Sequence, residues 1–89
     1  MSVLRILWDD ERDPEGNVRH LVEHELTIDD VEHVLGNPTG AGSSRSTELP
    51  VVWGYTLDGR YVIVVYERIG EDWIRVITAY EVPERRTRA

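Results

Sequence analysis

Two apolar runs in the second half of the chain are rich in Val, Ile, Thr, Tyr and Trp, the side chains that favour β-strands. They flank the polar break Arg68–Glu71 within the stretch Arg60–Glu81, and this pattern predicts a β-hairpin. In the first run both alternating sets of positions are apolar, which is typical of a central strand covered on both faces. We therefore expect the rest of the domain to be organised around this hairpin.

Further strands are predicted before the hairpin. Val3–Trp8 is a short apolar segment near the start, and Leu49–Thr56 precedes the hairpin, with a proline tolerable only at its first positions. Asp58-Gly59 predicts the turn that joins Leu49–Thr56 to the hairpin. The intervening segment Asn37–Ser46 is rich in Gly, Ser and Pro, and it predicts a mobile loop.

The first half of the chain predicts two short amphipathic helices. One begins with Asn17 as its N-cap and ends near Leu26, after a segment, Asp9–Gly16, that is either a loop or an irregular helix start. The second begins at Thr27, with Asp30 completing a capping box, and ends at Gly36. The apolar positions expected to be buried against the sheet are Val18, Leu21, Val22, Ile28, Val31 and Leu35.

The order strand, helix, helix, antiparallel meander predicts one α+β domain over residues 1–89, with a basic C-terminal tail at 82–89. Both helices would cover one sheet face, so the other face stays open as a candidate interaction surface. The chain has no cysteine, no apolar run of about 18 residues and no recognisable secretory leader, so we expect a cytoplasmic protein that does not enter membranes.

Charge and motifs exclude several kinds of chemistry. The net charge is −7, with most of its excess in the first half, so contact with nucleic acid should come from the second half. The pattern His20-x-x-Glu23-His24 matches the inverted zinc-protease motif, but both histidines lie on the polar helix face without a third ligand. Gly40-Ala41-Gly42 lacks the helix and lysine of a phosphate loop. We expect no metal site and no cofactor.

Arg75 is a charged residue within an apolar strand, so it needs an acidic or phosphate partner. If Glu67 pairs with Asp72, four side chains that could hold RNA backbone and bases share one face: Arg60, Tyr66, Trp73 and Arg75. The alternative is a structural ion pair of Arg75 beside ordinary aromatic packing. A two-residue turn at Asp58-Gly59 would place Trp53 and Tyr55 on the Arg75 face, a three-residue loop would place them on the opposite face, and the sequence leaves both open.

Several segments, taken together in their order and spacing, resemble the BrnT-type toxins of bacterial type II toxin–antitoxin modules. The similar segments are Trp8-Asp9, His24–Asp29, Asn37-Pro38, Gly54, Gly59-Arg60, Val64-Val65 and Arg75–Ala79. The resemblance implies a RelE-like fold and a metal-independent ribonuclease that acts on RNA and is neutralised by a cognate antitoxin protein.

The resemblance also implies roles for individual residues. Arg75 corresponds to the first arginine of the family's strand motif, and Arg85-Arg86 approximates the basic segment that holds RNA. The residue that handles protons is left open among His24, Glu67 and Tyr80. The chain departs from the family at Tyr80, where a second arginine is usual, and at Glu25, where glycine is usual. The alternative function is a non-catalytic member of the fold, which acts by binding an antitoxin or by forming a homodimer.

Overall fold

The computed structural model describes residues 5–10, 12–44 and 47–83. It is an α+β fold of two helices and a five-stranded mixed sheet. Neither helix in these ranges is long and apolar enough to cross a membrane. The elements are β1 (Arg5–Leu7), α1 (Asn17–Glu23), α2 (Ile28–Gly36), β2 (Gly40–Ser43), β3 (Pro50–Tyr55), β4 (Tyr61–Arg68) and β5 (Trp73–Glu81).

The sheet has the strand order β1-β5-β4-β3-β2, so the strand with two apolar faces, β4, is central as predicted. β2, β3, β4 and β5 form an antiparallel meander, and β1 pairs with β5 in parallel. The prediction of a loop over Asn37–Ser46 was wrong, since β2 lies within it. Backbone pairing alone builds this strand, because the sequence Gly-Ala-Gly-Ser carries no hydrophobic alternation.

Both helices pack on one face of the sheet, as predicted. Val22 is the exception among the residues expected to be buried: it is 57% exposed. Val22 follows Leu21 by about 100° around a helix of 3.6 residues per turn, so only Leu21 points at the sheet. Ile28 and Leu35 are half-buried at the rim. The central core consists of Leu21, Leu26, Val31, Val34, Val52, Val62, Val64, Val76 and Ala79.

The two helix starts are capped differently. At α2 the predicted capping box is present: Asp30 N donates to Thr27 Oγ1 (3.1 Å), and Thr27 N donates to Asp30 Oδ2 (2.9 Å). At α1 the predicted cap was wrong, since Gly16 is the N-cap and Asn17 is the first helical residue. The carboxylate of Asp9, eight residues earlier, accepts the Asn17 N–H instead (2.9 Å). A distant carboxylate therefore replaces the local cap.

A Schellman motif ends α1 and directs the chain into α2. Leu26 N donates to Leu21 O (2.8 Å) and Glu25 N donates to Val22 O (3.0 Å). Leu21 and Leu26, which the motif brings together, are both buried in the core. Glu25 occupies the left-handed position with φ 61°, where glycine is usual because a side chain is strained there.

The hairpin between β4 and β5 has a different register from the predicted one. Glu67 pairs with Arg75, not with Asp72, since the loop spans residues 69–72 and Ile69 N donates to Trp73 O (3.1 Å). The register is shifted by three residues, an odd number, and side chains alternate between the two faces of a strand. Each β4 residue that was predicted to share a face with Arg75 therefore lies on the opposite face. An irregularity between Val65 and Tyr66 shifts the pairing once more further along the strands.

The hairpin between β3 and β4 settles the alternative left open at Asp58-Gly59. Thr56 N donates to Arg60 O (2.9 Å), which encloses a three-residue loop over 57–59, and Gly59 has the positive φ of 88° that this loop requires. Trp53 consequently pairs with Ile63. Ile63 and Glu67 share a face of β4, and Glu67 pairs with Arg75, so Trp53 lies on the same face as Arg75. A three-residue loop was expected to place Trp53 on the opposite face, because that expectation assumed the other register between β4 and β5.

The left-handed Glu25 predicts a stabilising substitution. Glu25→Gly should raise the free energy of unfolding by about 1 kcal/mol, because glycine adopts φ 61° without steric cost. Glu25→Ala is the matched control, since it removes the same charge but keeps the strain. Urea unfolding of the three proteins measures both changes. Equal stabilisation by Ala and Gly would show that the carboxylate, and not the backbone, carries the cost.

Candidate functional site

Arg75 forms an ion pair with Asp9. Its Nη2 lies 2.8 Å from Asp9 Oδ2, and its side chain is 36% exposed. The hydrogen bond and charge of Asp9, together with the charges of Glu67 and Asp13, raise the pKa of Arg75. The sequence indicated that Arg75 needs an acidic or phosphate partner, and an acidic partner is present. Of the two alternatives for Arg75, a structural ion pair and a contact with RNA, the ion pair is therefore present in the fold.

Asn17 holds this ion pair in place. Its side chain is buried and makes three hydrogen bonds: Nδ2 donates to Leu7 O and to Val76 O (2.9 Å each), and Oδ1 accepts from Asp9 N (2.8 Å). One amide thus joins β1, β5 and the start of α1. Sequence reasoning missed this role. The sequence signal that could have indicated it was Arg75, because an arginine within an apolar strand requires an acidic partner. Asp9 is the first acidic residue after the first strand.

Arg60 is also engaged within the chain. Its Nε lies 3.0 Å from Asp58 Oδ2, its Nη2 lies 3.2 Å from Asp30 Oδ2, and its Nη1 donates to Glu25 O (2.7 Å). The hydrogen bond with Asp58 is the main reason why the pKa of Arg60 is raised. Arg60 therefore fastens the β3–β4 turn to the α1–α2 junction, on the helical side of the sheet.

The predicted cluster of RNA-binding side chains is not brought together. Tyr66 pairs with Val76 and packs against the core under the helices, so it lies on the opposite face from Arg75. Trp73 is 40% exposed on the Arg75 face, where the guanidinium of Arg5 lies 5.7 Å from its ring. The prediction that Arg60, Tyr66, Trp73 and Arg75 share one face was wrong, because it assumed the other register. Arg85 and Arg86 lie outside the described residues.

The candidates for proton transfer lie in two separate places. Glu67 is the cross-strand partner of Arg75. His24, at the C-cap of α1, contacts Tyr80 near the end of β5, with ring centroids 5.8 Å apart. Tyr80 follows Arg75 by five residues along an extended strand, a distance of roughly 15 Å. The fold brings His24 and Tyr80 together, and it keeps both apart from the Arg75 ion pair.

The sheet face opposite the helices carries a groove of about 540 Å³ that is lined by uncharged side chains, here called the open-face groove. No helix or strand of the described ranges covers it. Trp53 extends sideways over β2, because a Cβ on Gly42 would lie only 3.0 Å from the indole. The groove is lined by Ser43, Ser44, Val51, Trp53, Ile63, Val65 and Tyr80. This is the open face predicted from the sequence.

The Asp9 carboxylate predicts a pH dependence of stability. The Asn17 N–H and then Arg75 lower the pKa of Asp9, so the folded state favours the ionised form. This contribution is complete above the unfolded pKa of about 3.9 and is lost as the pH falls through the folded pKa. Asp9→Asn should therefore destabilise the protein by roughly 1–2 kcal/mol at neutral pH and by less near pH 3.

Urea unfolding of wild type and Asp9→Asn across this pH range measures the effect. Asp72→Asn is the matched control, because Asp72 is exposed and its side chain has no ion pair among the described residues. A gap between wild type and Asp9→Asn that stays constant with pH would contradict the assignment.

In the part of the chain that the structure describes, no group of three His, Cys, Asp or Glu side chains could hold a metal ion. Within the zinc-protease-like motif, His20 Nδ1 lies 3.5 Å from a Glu23 carboxylate oxygen. Comparison with known proteins gives no relative: no protein-family model, curated protein or solved structure matches the chain. The function must therefore be argued from the site itself.

Proposed function

We propose that this protein is a non-catalytic interaction module whose open sheet face binds a partner protein. One observation carries the proposal. The described arginines that would hold RNA phosphates, Arg75 and Arg60, form ion pairs with carboxylates of the chain, whereas the open-face groove is lined by uncharged side chains, two of them aromatic.

Electrostatics argue against RNA as the ligand. To bind a phosphate, Arg75 would have to break its ion pair with Asp9 or contact both anions at once. A single positive charge between two anions leaves excess negative charge at the site. The net charge of −7 adds a repulsive field around the molecule. Binding to nucleic acid depends on net positive contacts with phosphates. The site therefore fits a protein ligand better than RNA.

The open-face groove has the composition of a protein interface. Trp53, Tyr80 and Ile63 are half-buried there, so each offers apolar surface that a partner can cover. Large aromatic side chains contribute most of the binding energy in such interfaces. A partner of complementary charge would bring apolar side chains for the groove and a basic rim. The antitoxin implied by the family resemblance is the expected partner, and a homodimer is the other outcome of the test.

A charge placed in the groove tests this proposal. The protein encoded by the adjacent reading frame is co-purified with the chain, and the affinity is measured by titration calorimetry. Ile63→Glu should weaken binding by roughly 30-fold, equivalent to about 2 kcal/mol, because it buries an unpaired carboxylate. Val22→Glu is the matched control, since Val22 is an exposed apolar residue on the helical side. Equal affinities of both variants would reject the open face as the binding surface.

A ribonuclease toxin is the second candidate, and the contact between His24 and Tyr80 favours it. In RelE-like enzymes the 2′-hydroxyl of the RNA attacks the adjacent phosphate, and side chains transfer the protons. An imidazole and a phenol in contact could share these roles. The strained residue Glu25 is adjacent to His24, and strain often accompanies functional positions.

An RNA cleavage assay with purified protein separates the two candidates. The interaction module predicts no cleavage by the wild type. The ribonuclease predicts cleavage that falls about 100-fold in Tyr80→Phe, because the phenolic proton is lost while the ring contact stays. Tyr61→Phe is the matched control on the same sheet face. Cleavage that is equal in all three proteins would exclude Tyr80 as the proton-transfer residue.

A further inference from the structure

β2 is an edge strand whose outward backbone groups can be assigned from its pairing with β3. Ser43 pairs with Pro50, and proline has no N–H, so this pair cannot exchange backbone hydrogen bonds. Ser44 N donates to Leu49 O (2.7 Å), which fixes the alternation. The N–H and C=O groups of Ala41 and Ser43 therefore point away from β3, and no residue of the described ranges bonds them.

This edge lacks the charged side chains and the proline that often prevent a further strand from pairing. Proteins protect exposed edges with charged side chains, proline, bulges or covering segments. Gly40–Ser43 contains neither a charge nor a proline, and all four residues are exposed. At the other end of the sheet, Asn17 bonds the backbone of both β1 and β5. β2 is thus an edge at which the described sheet can be extended.

Trp53 connects this edge to the open-face groove. Cβ atoms built on Gly40 and Gly42 would lie 3.4 Å and 3.0 Å from the indole, so the ring crosses β2 above these glycines. A strand added beside β2 would contact the outer edge of that ring. Its side chains on that face would continue toward Ser43 and Val51 in the groove. Backbone pairing and apolar contact are therefore available to one extended ligand.

We propose that an extended, basic segment of the partner protein adds to the sheet beside β2, with alternate apolar side chains against Trp53. This inference rests on the proposed function and names the binding mode of its partner. Charge selects the occupant, because a net charge of −7 attracts a basic segment and repels a second copy of this chain.

The probe is an acetylated, amidated eight-residue peptide of alternating Arg and Val, titrated into isotopically labelled protein and followed by NMR. The same peptide with N-methyl groups on alternate residues is the matched probe, since it keeps charge and apolar side chains but cannot pair with an edge. We expect the unmodified peptide to shift the Ala41 and Ser43 amide signals and to bind at least about 10-fold more tightly than the methylated one. Equal binding of both peptides would overturn the inference, because attraction by charge alone would then explain it.

Ala41→Pro tests the same edge on the protein side. It removes an outward N–H without breaking the ladder with β3, and Ala41→Ser is the control that keeps this N–H. Thermal melts verify that both variants are folded. We expect Ala41→Pro to weaken binding of the peptide and of the co-purified partner at least about 10-fold. If partner binding depends on Ile63 but not on Ala41, the edge inference fails and the proposed function stands. If Ile63→Glu and Ala41→Pro both leave partner binding unchanged, both fail.

Discussion

The architecture depends on how one buried amide, that of Asn17, joins three elements. β1 has three residues and pairs with β5 in parallel, so its ladder supplies few hydrogen bonds of its own. Asn17 completes this edge by donating to carbonyls of both strands, and it accepts the N–H of Asp9. A buried carbonyl left without a donor costs about 1–3 kcal/mol, a large fraction of the stability of a chain of this size. The position of α1 on the sheet follows from the same contacts.

This junction also decides what Arg75 can do. Asn17 fixes the backbone of Asp9 and binds its carboxylate through N–H, so the carboxylate is held where Arg75 reaches it. Glu67 lies across the ladder on the other side of Arg75. An arginine between two carboxylates carries little uncompensated charge, whereas binding of a phosphate requires such charge. The residue that stands out in the sequence as a candidate catalyst is therefore explained by the assembly of the fold.

Hydrophobic periodicity predicted the helices, the central strand and the meander, because these depend on local pattern. It could not predict the register of the β4–β5 hairpin, which depends on the length of the loop at 69–72 and on the irregularity after Val65. Because the predicted register differed from the real one by an odd number of residues, the face predicted for Tyr66 was wrong. The bonds of Arg60 to Asp30 and Glu25 link residues 30 or more positions apart, which no local pattern encodes. β2 was missed because its glycines carry no side-chain pattern, although they make room for Trp53.

Most of the net negative charge and the uncharged open-face groove lie in different parts of the chain. The acidic residues are concentrated in the first half of the chain, which includes both helices, whereas the open-face groove is lined by uncharged side chains. Long-range charge mainly sets how fast a ligand arrives, and buried apolar contact mainly sets how slowly it leaves. A basic partner would thus be attracted by the whole molecule but retained by Trp53 and its neighbours. Since binding to the folded state adds to stability by mass action, covering this face would also stabilise a small domain whose sheet has helices on one side.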